Sequence, residues 1–190
     1  MCMLALYRFK KRFAAKAFST LCSRSFAEFG KHSVISPPLR ISGEKRIKIG
    51  NNVFVGEYCW LQVLTLDGSN NDVAIEIGDG TSIVGSITLS AVEKITICEN
   101  VLIAKNVYIA DHSHEFLQKG IPIKEQGVSI IRPVVINSGA WLGQNVVVFP
   151  GVTIGKNSVI GANSVVNSDI PNYCTAAGSP AKILRHFRDR

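Results

Sequence analysis

The chain has 190 residues, of which 46% are hydrophobic and 18% are charged, a composition typical of an ordered globular protein with one buried core. Its five cysteines form no Cys-x-x-Cys pair, which argues against a disulfide framework or a cysteine zinc site and favours a reduced, cytoplasmic setting. The net charge of +7 is concentrated at the two ends and leaves the body near neutral, which argues against nucleic acid as a partner.

Residues 1–30 form the first predicted segment, a basic amphipathic helix. Apolar residues follow helical spacing at Leu6, Phe9, Phe13 and Ala17, and the segment holds six basic residues and one acid. No apolar run in the chain reaches the about 18 residues that a membrane-spanning helix needs. Two interpretations stay open. Residues 1–20 make peripheral contact with the inner face of an anionic plasma membrane, or the helix packs on the body and solvates its other face.

Residues 31–190 form the second predicted unit, which is built on a six-residue repeat. Aliphatic residues recur at every sixth position in four runs, 49–61, 77–89, 97–109 and 136–166. In twelve hexads the fourth position can be compared, and ten of the twelve residues there are Asn, Gly or Asp, the types that best tolerate left-handed backbone angles. These fourth positions are Asn52, Tyr58, Gly80, Ser86, Asn100, Asn106, Gly139, Asn145, Gly151, Asn157, Asn163 and Asp169.

Each hexad is interpreted as a short strand followed by a corner. The aliphatic residue points inward, the fourth residue turns the chain, three strands close a triangular coil, and the coils stack as in a solenoid. The predicted fold class is therefore all-β: a parallel β-helix of hexapeptide repeats with an N-terminal helix, a projecting loop and a C-terminal cap. Residues 172–190 are expected to form that cap, because a bare terminal coil would leave strand edges exposed.

Residues 111–133 interrupt the repeat and are expected to project as a loop, because a solenoid accommodates an insertion only by pushing it outward. The stretch begins with Asp111, His112, Ser113 and His114, and so holds two of the four histidines of the chain. An imidazole, whose unperturbed pKa is about 6.5, is suited to remove a proton from an attacking group at neutral pH. The alternative is an exposed polar turn with no chemistry.

The hexads resemble those of the hexapeptide-repeat acyltransferases over residues 40–185. The stretch AWLGQNVVVFPGVTIGKNSVIGANSVVNSDIPNYCTAAGSPAKILR is similar to the galactoside and maltose acetyltransferase branch, and ADHSHEF is similar to the O-acetyltransferases of capsule and O-antigen synthesis. This resemblance implies a left-handed β-helix, acetyl-CoA as co-substrate with no metal, and direct transfer in a ternary complex. It also implies a homotrimer in which each site is shared by two chains.

The resemblance assigns roles to individual residues as well. Aligning YIADHSH with the family motif puts the general base at His112, with His114 as its rival or as a residue that orients the substrate. Asp111 is a candidate to hold the imidazole tautomer. A backbone N–H near Gly143 and Gln144 is the expected donor to the oxyanion. The matched coenzyme-binding positions are Trp141, Gly143, Gln144, Ala162, Asn167, Ser168, Lys182 and Arg185, of which the last two are expected to meet phosphates.

The predicted function is acetyl-CoA-dependent O-acetylation of a sugar hydroxyl in a surface polysaccharide or its precursor. A simple galactoside is not favoured as the acceptor. Residues 84–86 offer no amide side chain where the galactoside branch places an asparagine, and Asn167-Ser168 replaces its Thr-Lys pair. The alternatives are N-acetylation of a nucleotide-linked amino sugar or an antibiotic, a non-catalytic β-helix scaffold, and a zinc hydratase. The four histidines lack the spaced trio of ligands that a hydratase of this fold needs.

Overall fold

A computed structural model describes residues 2–66 and 72–187 and shows an all-β body of parallel strands preceded by one α-helix. The helix α1 spans Met3–Cys22, and a 3-10 turn at Ser23–Ser25 leads from it into the first strand. Within the described residues, no helix is both long enough and apolar enough to cross a bilayer.

Six coils of three short strands each follow the helix, and every strand after the first coil pairs in parallel with the matching strand of the coil before it. A 3-10 turn at Glu44–Arg46 precedes the second coil. The coils are β1 Glu28–Phe29, β2 Val34–Ile35, β3 Arg40–Ser42; β4 Ile47–Ile49, β5 Phe54–Val55, β6 Trp60–Val63; β7 Ile75–Ile77, β8 Ser82–Ile83, β9 Thr88–Ala91; β10 Ile95–Ile97, β11 Leu102–Ile103, β12 Tyr108–Ala110; then, after the hairpin strands β13 Ser113–His114 and β14 Val128–Ser129, β15 Val134–Ile136, β16 Trp141–Leu142, β17 Val147–Val148; and β18 Thr153–Ile154, β19 Val159–Ile160, β20 Val165–Val166.

The coils build a three-sided prism. Face 1 holds the first strand of each coil, face 2 the second and face 3 the third. A further strand, β21 (Cys174–Ala177), extends face 2 in parallel, and β22 (Lys182–His186) then pairs antiparallel with β21. β22 thus covers the outer edge of β21 on face 2.

The interior of the prism is a stack of aliphatic side chains. All fifteen aliphatic positions of the six-residue repeat are at most 1% exposed. The register explains the stacking, because Ile97 lies opposite Ile77 in the coil before it and Ile136 in the coil after it. Burying one such side chain contributes about 1.5–3 kcal/mol, so this continuous column is the main source of stability.

The corners of the prism depend on left-handed backbone. Eleven of the twelve compared fourth positions have a positive φ, including Tyr58 at 63° and Ser86 at 54°, whose residue types do not favour it. The exception is Asp169, whose carboxylate instead accepts the backbone N–H of Thr153 at 2.7 Å. The stacking of coils therefore imposes the corner geometry even where the residue type does not.

The solenoid begins one coil earlier than the repeat starting at Ile49 indicates. Phe29, Ile35 and Ile41 are six residues apart from one another, and their strands pair in register with β4, β5 and β6. His32 supplies the left-handed corner of this first coil, with φ of 62°. This coil was missed because eight residues, not six, separate Ile41 from Ile49, so the repeat counted back from Ile49 does not reach it.

The chain leaves the prism between β12 and β15. There β13 and β14 pair antiparallel as the stem of a hairpin, and a 3-10 turn at Ile123–Glu125 lies in its distal part. At the base, the backbone N–H of Arg132 donates to the carbonyl of Asp111 at 2.7 Å, which fixes where the hairpin departs.

The outer surfaces of the three faces differ. Face 1 carries a ladder of ion pairs, in which Lys48 lies 3.1 Å from Glu28 and 3.5 Å from Glu76, while Glu76 lies 3.1 Å from Lys94. Faces 2 and 3 instead expose large apolar side chains at 40–47% of their surface. On face 2 these are Phe54, Leu102 and Trp141, and on face 3 they are Trp60 and Tyr108.

Candidate active site

Asp111 follows β12 at the corner between face 3 and face 1, and its side chain is fully buried. Its carboxylate accepts the backbone N–H groups of Val92, Glu93 and Lys94 at N···O distances of 2.7–3.1 Å. These three residues form the same corner one coil earlier. The backbone amides of the preceding coil therefore fix the position of the Asp111 carboxylate.

The environment keeps the Asp111 carboxyl ionised. Burial raises its pKa, but the hydrogen bonds from His112 and from the backbone amides of Val92, Glu93 and Lys94 together outweigh burial. The net result is a pKa below the ordinary value of 3.8. At neutral pH the group is a carboxylate and can only accept hydrogen bonds.

The imidazole of His112 is oriented by this carboxylate. The distance from His112 Nδ1 to Asp111 Oδ1 is 2.8 Å, and the histidine side chain is 10% exposed. Because the carboxylate oxygen is an acceptor only, Nδ1 carries the hydrogen and Nε2 keeps its lone pair. A neutral imidazole held in this way can accept a proton from a hydroxyl or an amine at Nε2.

His114 has a different setting. It lies on β13 of the hairpin, opposite Val128, and its side chain is exposed. The two histidines of the interrupted repeat are therefore unlike: one is held at the corner of the prism, and the other is solvated on the hairpin stem.

The residues matched to coenzyme binding lie mostly on other parts of the prism. Trp141 is on face 2 and is 47% exposed. Gln144 and Ala162 are exposed at successive corners between faces 2 and 3. Gly143 stacks directly on the next coil, where a Cβ on it would come within 2.7 Å of the backbone nitrogen of Ala162. The structure thus brings Gly143, Gln144 and Ala162 to one edge.

The remaining matched residues lie towards the C-terminal end. Asn167 and Ser168 are exposed at the corner between faces 3 and 1, two coils beyond the corner of His112. Lys182 and Arg185 are exposed on β22, the outermost strand of face 2. Within a single chain, face 2 and the edge of Gln144 are separated from the His112 corner by the width of face 3.

The backbone N–H of Gly143 is already used in the sheet. It donates to the carbonyl of Ile160 at 2.8 Å, so it is not available to a reacting oxygen. Of the two backbone N–H groups expected to donate to the oxyanion, that of Gln144 therefore remains the candidate.

The two cysteines of the repeat, Cys59 and Cys98, are poorly suited to act as nucleophiles. Cys59 is buried in the core, and Cys98 is half-buried on face 1. Burial raises the pKa of both thiols, so they are protonated at neutral pH and are poor nucleophiles.

Sequence reasoning missed the part played by residues 92–94. They contribute backbone amides to the site. Because almost every residue type has a backbone N–H, the sequence gives no sign of this role. The one usable signal was the end of the six-residue spacing after Leu89, which marks an altered corner.

The chain matches known proteins over most of its length. A sequence model of the family described as "Bacterial transferase hexapeptide (six repeats)" matches residues 133–168. The galactoside O-acetyltransferase of Escherichia coli is 38% identical over 151 residues, which are 77% of this chain and 71% of the relative. The E. coli protein WbbJ, whose name suggests an O-acetyl transferase of lipopolysaccharide biosynthesis, is 33% identical over 81% of this chain and 79% of its own.

Solved structures agree with these matches. The hexapeptide-repeat acetyltransferase VCA0836 from Vibrio cholerae, solved in complex with acetyl coenzyme A, is 30% identical with a TM-score of 0.65, over 90% of this chain and 76% of that chain. The N-acyltransferase AntD from Bacillus cereus has the same fold at 22% identity and a TM-score of 0.75, over 90% and 89% of the two chains. With 33–38% identity to two relatives over more than two thirds of each, the chain belongs to the hexapeptide-repeat acetyltransferases.

Proposed function

We propose that the protein transfers an acetyl group from acetyl-CoA to a sugar hydroxyl of a surface polysaccharide or its precursor. The observation that carries the proposal is the Asp111–His112 pair at the base of the hairpin, in a member of an acetyltransferase family. A hydroxyl acceptor is supported by the names of the two E. coli relatives, both of which specify O-acetyl transfer.

The proposed reaction needs one base and no covalent enzyme intermediate. Nε2 of His112 accepts the proton of the acceptor hydroxyl while the hydroxyl oxygen forms a bond to the thioester carbonyl carbon. The carbonyl π electrons move onto the carbonyl oxygen, which the backbone N–H of Gln144 stabilises. When the C=O bond re-forms, the C–S bond breaks, and the thiolate of coenzyme A takes the proton from Nε2. Asp111 stays ionised throughout and stabilises the transient imidazolium.

The proposed coenzyme site uses exposed residues of face 2, of its edge with face 3 and of the last corner between faces 3 and 1. Lys182 and Arg185 are assigned to phosphates, because both are exposed cations and an arginine fork suits phosphate oxygens. Trp141, Gln144, Ala162, Asn167 and Ser168 are assigned to the remainder of the long coenzyme. The relative of known structure with bound acetyl coenzyme A supports this use of the fold.

We also propose a homotrimer of left-handed coils with sites between neighbours, as the family resemblance implies. The argument is that one chain separates His112 from Trp141, Lys182 and Arg185 by a whole face, so a complete site needs a second copy. The polar ladder on face 1 suits solvent, whereas the exposed aromatic side chains on faces 2 and 3 suit contact with neighbours.

The decisive experiment is a screen of saccharide acceptors with labelled acetyl-CoA. We expect label in a product that mild alkali releases, as it does from an ester. An alkali-stable product would instead indicate N-acetylation of an amino sugar. If coenzyme A neither shifts the thermal unfolding of the protein nor donates label to any acceptor, the enzyme proposal is wrong and a scaffold role takes its place.

A further inference from the structure

The buried residues of helix α1 all lie in its second half. Ala15 and Ser19 are its buried residues, and Ser19 Oγ accepts the backbone N–H of Ile35 at 2.9 Å. Phe18 and Cys22 pack partly against the core. The helix residues before Ala15 are all exposed. The first half of the helix therefore forms an outer surface of the molecule.

That surface is unusually apolar for a water-exposed helix. Met3, Leu4, Tyr7, Phe9 and Phe13 are between 55% and 85% exposed. The apolar surface continues onto the body, because Phe9 and Phe13 line an open groove of about 820 Å³ together with Val34, Pro37 and Phe54. Contiguous exposed apolar surface of this kind marks a site of interaction with a protein or a membrane.

The same segment is strongly cationic. The helix contains five basic residues and no acidic residue. Within the described parts of the chain, Lys11 is the only one of the five in an ion pair, with Glu57 at 2.6 Å. The five are Arg8, Lys10, Lys11, Arg12 and Lys16.

The charge decides between the possible occupants of this surface. A second copy of the chain that met this surface in a two-fold symmetric contact would bring the same cationic helix, so the two would repel one another. An anionic lipid surface complements both properties at once, because its head groups attract the basic residues and its acyl boundary takes up the apolar ones. Each basic residue near such a surface adds to the attraction over a range set by the ionic strength.

We propose that the exposed side chains of α1 between Met3 and Lys16 dock the protein on an anionic bilayer. The helix lies in the plane of the interface, with Phe9 and Phe13 inserted and Lys10, Arg12 and Lys16 among the head groups. This inference does not depend on the acceptor or on the catalytic roles proposed above.

The test is sedimentation of the full chain with vesicles of phosphatidylglycerol and of phosphatidylcholine. Point variants are preferable to removing the helix, because Ala15 and Ser19 help to cover the first coil. We expect binding to phosphatidylglycerol only, reversed by salt. We expect at least about tenfold weaker binding in Phe9→Ser/Phe13→Ser and in Lys10→Glu/Lys16→Glu. The matched control Lys105→Glu/Lys156→Glu changes two exposed lysines on the body and should bind more than either variant.

Two results would overturn the proposal. One is that the unmodified protein fails to sediment with phosphatidylglycerol vesicles at low salt, or sediments equally with phosphatidylcholine. The other is that Phe9→Ser/Phe13→Ser leaves vesicle binding unchanged but lowers the molar mass by light scattering. That outcome would assign the apolar surface to a second copy of the chain.

Discussion

Nδ1 of His112 lies 2.8 Å from Oδ1 of Asp111, its immediate neighbour in the chain. Adjacent side chains seldom meet in this way after a strand, because they tend to point to opposite sides. Here the carboxylate is turned inward and held by the amides of residues 92–94, and the imidazole folds back onto it. One corner of the solenoid thereby supplies both a base and the group that orients it.

The first prediction separates the two histidines. His112→Ala should lower kcat by about two to four orders of magnitude, which is the usual contribution of a general base. His114→Ala should cost much less, because its side chain is solvated on the hairpin stem. Steady-state rates with acetyl-CoA and the same acceptor give the kcat values of both variants, and circular dichroism checks that both are folded. Equal large losses, or a larger loss at His114, would contradict the assignment of the base.

The second prediction concerns stability in acid. The pKa of Asp111 is lowered in the folded protein, so its carboxylate stabilises the fold above the ordinary pKa of 3.8 and loses this effect as the pH falls through the folded pKa. Asp111→Asn should therefore lower the free energy of unfolding at pH 7 by about 1–3 kcal/mol, because a buried group is left badly paired. Urea denaturation of the two proteins measures this difference.

The gap between Asp111→Asn and the unmodified protein should narrow as the pH falls below about 4. Comparing the two proteins at each pH is essential, because the pKa values of Glu76 and Asp79 are also lowered, by hydrogen bonds from Lys94 and Asn51, and those effects cancel in the difference. A gap that stays constant from pH 7 to pH 3 would show that the ionised carboxylate contributes nothing at this corner.

The third prediction tests the phosphate site. Lys182→Ala and Arg185→Ala should each weaken binding of acetyl-CoA by about five- to thirtyfold, as expected when a charge-assisted hydrogen bond of about 1–2 kcal/mol is lost. Isothermal titration gives the affinities, and Lys45→Ala, an exposed lysine near the first coils, is the matched control. Affinities unchanged in both variants would place the phosphates elsewhere.

The fourth prediction concerns the corners. Asn145 has φ of 61°, donates to Asn163 Oδ1 at 2.7 Å and accepts from Asn106 Nδ2 at 3.2 Å. Asn145→Ala and Asn145→Gly both lose these hydrogen bonds. Only alanine carries a Cβ, which makes the left-handed backbone conformation unfavourable. The alanine variant should therefore be less stable than the glycine variant by about 1–2 kcal/mol in urea unfolding. If glycine is the worse of the two, the left-handed backbone angle does not determine which residue this corner tolerates best.

Much of this fold could be predicted from the sequence because each hexad carries its own signal. The buried aliphatic position and the left-handed corner are local properties, and they recur from Ile49 to Val166 as expected. The residue types of Tyr58 and Ser86 do not indicate left-handed corners, and only their place in the repeat predicted them, since neighbouring coils impose that geometry. The inward turn of Asp111 was equally out of reach, because its partners are backbone amides of another coil. Nor does residue type reveal that the Gly143 N–H is used in the sheet.

The last prediction is that each site is built from two chains. His112 lies at the corner between faces 3 and 1, whereas Lys182 and Arg185 lie on the outer strand of face 2, so a groove between neighbours would bring one chain's histidine to the other's cations. We expect a trimer by light scattering. His112→Ala and Lys182→Ala/Arg185→Ala should each be nearly inactive alone at low acetyl-CoA.

Assembled together in equal amounts, these two variants should recover about a quarter of the normal activity, because one interface in four then pairs an intact histidine with intact cations. Mixed trimers that recover no activity would instead place the whole site within one chain, and a fully active monomer would remove the need for a partner altogether.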